Sequence, residues 1–128
     1  MDQDNVLRGY LTAILWSEMD NNDDPLDSNY EISDITEESI EKAKSDIKAF
    51  VEKAKELFTE DELNDPDQIG HDLHLTRQGH GSGFWDGDYV KGDEITKITD
   101  KMGSVEVYVG DDGKVNIDSS FKGFEEVI

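Results

Sequence analysis

Residues 36–58 constrain the fold of this chain more than any other stretch. Ile40, Ala43, Ile47, Phe50, Val51, Ala54, Leu57 and Phe58 recur at three- and four-residue intervals, the spacing that stacks side chains on one face of an α-helix. Such a helix, running from Thr36 to Phe58, needs a second layer over that face, because an isolated helix gains little without packing. Glu37 and Glu38 favour its positive N-terminal end. Glu41, Lys42, Lys44, Asp46, Lys48, Glu52, Lys53, Lys55 and Glu56 lie mostly on the solvated side, with mixed charges at helical spacing.

The covering layer is sought on both sides of it. Between Asn5 and Met19, Val6, Leu7, Tyr10, Leu11, Ile14 and Leu15 predict another amphipathic helix, with Asp4 as its N-cap and Trp16 and Met19 extending the apolar surface. Residues 20–34 are acidic, contain Pro25 and show no period, so they read as a loop tacked down by Leu26, Tyr30 and Ile32. Thr59 to Glu62 has capping-box spacing and opens a short helical turn that Asp65-Pro66 is expected to end. Residues 71–77 alternate as a half-buried strand does, with His71, Leu73, Leu75 and Arg77 on one side and Asp72, His74 and Thr76 on the other. The glycines at 79, 81 and 83 predict a tight loop. A short helix follows over Asp93 to Met102, capped by Asp93 and stopped by Gly103. Ser104–Val109 and Lys114–Ile117 flank Gly110-Asp111-Asp112-Gly113, a hairpin signal. Phe121, Phe124, Val127 and Ile128 predict a docked tail. The order gives an α+β chain, one domain over residues 1–128, with N-terminal amphipathic helices packed on a small antiparallel sheet that ends in a β-hairpin.

Charge narrows the function. The chain has 32 acidic and 12 basic residues, a net charge of −20, which repels nucleic acid and excludes direct nucleic-acid binding. Ten of the basic residues are lysine, unlike a chain adapted to high salt. Solubility and imitation of a phosphate backbone remain. Asp20, Asp23, Asp24, Asp27, Glu31, Asp34, Glu37, Glu38 and Glu41 would form the imitating patch. Cysteine is absent, the opening residues lack a signal-peptide pattern, and no apolar run is long enough to span a bilayer, so a cytoplasmic location without membrane contact is expected.

Residues 70–86 gather all three histidines. Asp72, His74 and His80 are the candidate ligands for a divalent metal, on the strand reading that places Asp72 and His74 on one face; otherwise no cofactor is expected. A hydrolytic arrangement would use His74 or His80 as base, Asp72 or Asp86 to orient it and Arg77 to stabilise negative charge. Ser82 lacks the spacing of a nucleophile turn. Equally, the glycines would turn a corner, Phe84 and Trp85 would fill the core, and the His, Asp and Arg side chains would close hydrogen bonds around it. Asp20 to Glu31 nearly follows calcium-loop spacing, but Pro25 stands where a glycine turn is required.

The segment His71, Asp72, His74, Thr76, Arg77, His80, Trp85, Asp86, written Gly-His-Asp-x-x-Leu-Thr-Arg-x-Gly-His-Gly-x-Gly-Phe-Trp-Asp, resembles a motif of uncharacterised small acidic proteins of bacteriophages, prophages and mobile elements. The resemblance covers about 17 residues and implies an accessory or host-takeover role, with no catalytic residue carried over. The expectation is therefore a protein that binds a basic host partner, such as a nucleic-acid-binding protein, by presenting carboxylates in place of phosphates. The alternative is a metal- or ligand-binding module or hydrolase built on residues 71–86. The oligomeric state is left open.

Overall fold

The computed structural model describes residues 2–79, 83–84 and 89–124. Helix α1 spans Gln3–Ser17 and turns Val6, Gly9, Tyr10, Ala13 and Ile14 inward. Its cap is Asp2 rather than Asp4: the Asp2 carboxylate accepts from the backbone N–H groups of Asp4 and Asn5 at 3.1 and 3.3 Å. Asp4 sits instead in the first turn, where the helix dipole favours a negative charge. The acidic connection that follows is held by short 3₁₀ turns at Leu26–Ser28 and Ile32–Asp34, with Leu26 fully buried.

Helix α2 covers Glu37–Ala54, with the Thr36 hydroxyl accepting from the Ser39 N–H at 3.2 Å. It stops four residues short of the expected Phe58. A 3₁₀ turn at Lys55–Leu57 tightens the chain, and Phe58 leaves in an extended conformation that returns its ring to the core. Helix α3, Glu60–Leu63, has the expected capping box.

The largest departure is at residues 66–77, which form a helix, α4 (Pro66–Arg77), instead of a strand. Asp65 caps it through the Gln68 N–H, and Pro66 occupies the first helical position, where its missing N–H costs nothing. Asp65-Pro66 thus begins an element rather than only ending one. Eight residues of α4, Ile69, Gly70 and all six from Asp72 to Arg77, are buried, and His71 is not. A helix enclosed on nearly all sides carries no amphipathic stripe, so the alternation of Leu73 and Leu75 imitated a strand.

Glycine explains how α4 is enclosed. A Cβ on Gly70 would stand 1.9 Å from the Val6 carbonyl oxygen, and one on Gly9 would stand 1.9 Å from that of Asp67. The backbones of α1 and α4 touch, and only hydrogen fits at the two crossing positions. Helix α5, Gly92–Asp100, begins without a side-chain cap; Asp93, the expected cap, lies inside its first turn.

Strands β1 (Val105–Val109) and β2 (Val115–Ser119) pair antiparallel with Val107 opposite Ile117. In the turn, Gly113 donates to the Gly110 carbonyl at 3.0 Å, with its own φ at +73°, the left-handed residue this hairpin type requires. The outer side of β2 is closed by α2 and its entry: Thr36 N–H donates to the Val115 carbonyl, and Ile117 N–H to the Ser39 hydroxyl. The fold is α+β, with helices from the N-terminal side packed on a C-terminal hairpin. One apolar core joins α1, α2, α4, α5 and the hairpin, and at its centre Phe50 and Phe84 stack 5.7 Å apart at 12°. Phe121 docks as expected; Val127 and Ile128 lie outside the described residues. Among the described residues no helix is long and apolar enough to cross a membrane.

Candidate functional site

Arg77 is the most heavily bonded side chain of the motif. Its Nε donates to the Gly103 carbonyl at 2.8 Å, Nη1 to the Tyr10 hydroxyl at 3.0 Å and Asp46 Oδ2 at 2.9 Å, and Nη2 to the Met102 carbonyl at 3.3 Å and the Ser119 hydroxyl at 3.1 Å. Those contacts use all five donors that a guanidinium possesses. The Asp46 carboxylate is equally occupied, accepting also from Ser119 at 2.6 Å and Lys42 at 2.9 Å. The Arg77 and Asp46 side chains are 0% and 2% exposed. Burial, above all, raises the Tyr10 hydroxyl from its ordinary value, so it stays a neutral partner. The cluster ties α1, α2, α4, the end of α5 and β2 together and leaves the Arg77 guanidinium no donor for an incoming anion. Asp46, read from sequence as solvated, is the residue that reasoning missed; its clue is an acid flanked by Ile47 and Phe50 at inward positions.

His74 is buried, with Nε2 3.0 Å from Glu18 Oε2 and its ring edge-on to Tyr10. One turn on, the Gln78 amide accepts from the Val105 N–H at 2.9 Å and donates to the Val105 carbonyl at 3.0 Å, standing in for a third strand at that edge of β1. The Thr76 hydroxyl accepts from the Phe84 N–H at 3.1 Å and so anchors the return of the chain.

Asp72 faces elsewhere. Its carboxylate accepts from Gln68 at 3.1 Å and from the Tyr89 hydroxyl at 2.6 Å, and burial followed by this bond pushes the Tyr89 hydroxyl strongly upward. It borders a cavity of about 270 Å³ lined also by Asp61, Glu62 and Asp65. The expected pairing of Asp72 with His74 on one face is overturned. On a helix, residues two apart point about 200° away from each other, and here they meet different neighbours. Among the described residues no three His, Asp or Glu side chains converge as a metal site would need. His80, Ser82, Trp85 and Asp86 lie outside the described residues.

His71 is the motif's outward residue. Its ring packs 5.5 Å from that of Trp16 at 38°, and its side chain is 30% exposed.

The acidic segment has the opposite character. Asp20 Oδ1 accepts from the Asn22 and Asp24 N–H groups at 2.8 and 3.1 Å, and Asp34 accepts from the Glu31 N–H at 2.8 Å. These two carboxylates shape the loop. Asp23, Asp24, Asp27, Glu31, Glu37, Glu38 and Glu41 are exposed, and among the described residues only Glu41 of the seven is in an ion pair, a 3.4 Å contact to Lys44. From Gly9 to Glu41 the chain contains no lysine, arginine or histidine. Glu37, Glu38 and Glu41 place three charges in five residues of α2, one per about 2.5 Å of helix axis, against one per about 1.7 Å for duplex DNA. The two densities are of the same order.

No protein-family model, curated protein or solved structure matches this chain.

Proposed function

We propose that this is an accessory protein of phage or mobile-element type whose acidic segment, residues 20–41, binds a basic surface on a host protein that otherwise holds nucleic acid. The carrying observation is that the segment presents seven exposed carboxylates on a backbone held in place by two others, with no basic side chain between Gly9 and Glu41. A fixed array of one sign concentrates a field that steers a cationic partner. The described polar side chains of the histidine motif are, apart from His71, committed to contacts within the fold, which favours recognition over catalysis.

Attraction of this kind is screened over about 10 Å at 0.1 M salt and about 3 Å at 1 M. The test is a competition between the protein and duplex DNA for nucleic-acid-binding proteins purified from a host extract. Displacement of DNA at low salt, abolished both by high salt and by neutralising the seven exposed acids to Asn or Gln, supports the reading. Displacement that survives neutralisation contradicts it.

A further inference from the structure

Beside the acidic segment stand two large apolar side chains that the fold leaves in water. Trp16 and Met19 are 56% and 52% exposed. Neither sits on a loose strand end. The Glu18 N–H donates to the Ile14 carbonyl and the Leu26 N–H to the Glu18 carbonyl, both at 2.9 Å. Met19 forms an antiparallel bridge with Pro25, and the Asp20 N–H donates to the Asp24 carbonyl at 2.8 Å. The His71 ring backs one side of the indole. The backbone that carries Trp16, Met19 and the carboxylates of residues 23–27 is thus held in one arrangement before any partner arrives, which lowers the ordering cost of binding.

We propose that Trp16 and Met19 are the apolar anchor of the acidic surface and that their occupant is an arginine-bearing amphipathic segment of the basic partner; this rests on the charge reading given above. Charge complementarity selects the occupant. A bare polycation would satisfy Asp23, Asp24 and Asp27 yet leave Trp16 and Met19 wet, and a wholly apolar segment would desolvate those carboxylates without a counter-charge. Arginine meets both demands, because its planar guanidinium stacks on an indole while pairing with carboxylates, and neighbouring apolar residues cover the methionine. Trp, Met and Arg are also the residue types concentrated at the centres of protein interfaces.

The test uses two synthetic peptides of equal length and charge, one with Arg and Leu on one helical face, the other with Arg and Ser. Affinities for the full chain are measured by calorimetry at low salt. Trp16 emission is followed in a Trp85→Phe background. The expected result is that the Arg/Leu peptide binds about tenfold or more tighter and shifts Trp16 emission to the blue. Met19→Ser removes most of that preference while leaving Arg/Ser binding unchanged, and Trp16→Ala, which takes away the surface that the arginines of both peptides stack on, weakens both and abolishes the emission shift. Equal, salt-sensitive affinity for both peptides overturns the anchor and leaves the charge reading standing. Absence of binding to either overturns the charge reading and the anchor together. If Trp16→Ala lowers the thermal midpoint, Met19→Ser and the emission shift decide the matter.

Discussion

Helix α4 and the segment 20–41 are both rich in polar side chains, and they put them to opposite uses. On α4, Asp72, His74, Thr76 and Arg77 are buried and spend their hydrogen-bonding capacity inside the fold. Of the nine carboxylates along 20–41, Asp20 and Asp34 accept from backbone N–H groups of the loop, and the other seven are exposed. A polar cluster is therefore informative only with its partners known. Satisfied donors signal architecture; unsatisfied, exposed charge of one sign signals a surface waiting for a counterpart.

The contrast is broken most directly at Arg77. Arg77→Met leaves the Asp46 carboxylate buried without its main counter-charge and is expected to cost about 3–5 kcal/mol of stability in urea denaturation. Adding Asp46→Leu removes the stranded charge and should recover part of that loss; a double variant worse than the single one would show that the pair is not the stabilising unit. Gly70→Ala comes next. Alanine is the better helix former by about 1 kcal/mol, yet its Cβ has no room against the Val6 carbonyl, so the unfolding free energy should fall by about 1–3 kcal/mol, and an unchanged value would refute the backbone contact.

Tyr89 gives a smaller, pH-dependent effect. Tyr89 and Tyr10 keep their protons in the folded chain beyond the ordinary tyrosine value of 10.0, whereas the unfolded chain releases them near pH 10. The unfolded state then binds fewer protons, so stability is full below that pH and declines above it. Tyr89→Phe should flatten part of the decline, as read by denaturation at pH 9 to 11. Smallest of all is the structural effect of neutralising the seven exposed acids. It takes the net charge from −20 to −13, relieves self-repulsion and should leave the thermal midpoint unchanged or raised while binding to a basic probe is lost.

The helices α1 and α2, the capping box at Thr59 and the hairpin were legible in the sequence because each has one buried face or a fixed turn chemistry, as at Gly113. Helix α4 was not, because burial on nearly all sides erased its period; Asp65-Pro66, an N-cap followed by a first-position proline, was the signal that would have found it. The same error joined Asp72 to His74, which the helix gives to different neighbours, Tyr89 and Glu18. The bonded role of Asp46 is hidden for another reason: its partner Arg77 lies 31 residues away on a helix whose sequence alternates like a strand. In the acidic segment composition points to exposed carboxylates, but it does not separate Asp20 and Asp34, which shape the loop, from the seven that face water.

Hydrogen exchange, followed segment by segment with and without the Arg/Leu peptide, tests the division between the two regions in a single measurement. Residues 66–78 should already be protected in the free chain and change little, while new protection appears across 16–41. Protection gained at 66–78 with none at 16–41 would place recognition on the histidine motif and contradict the account.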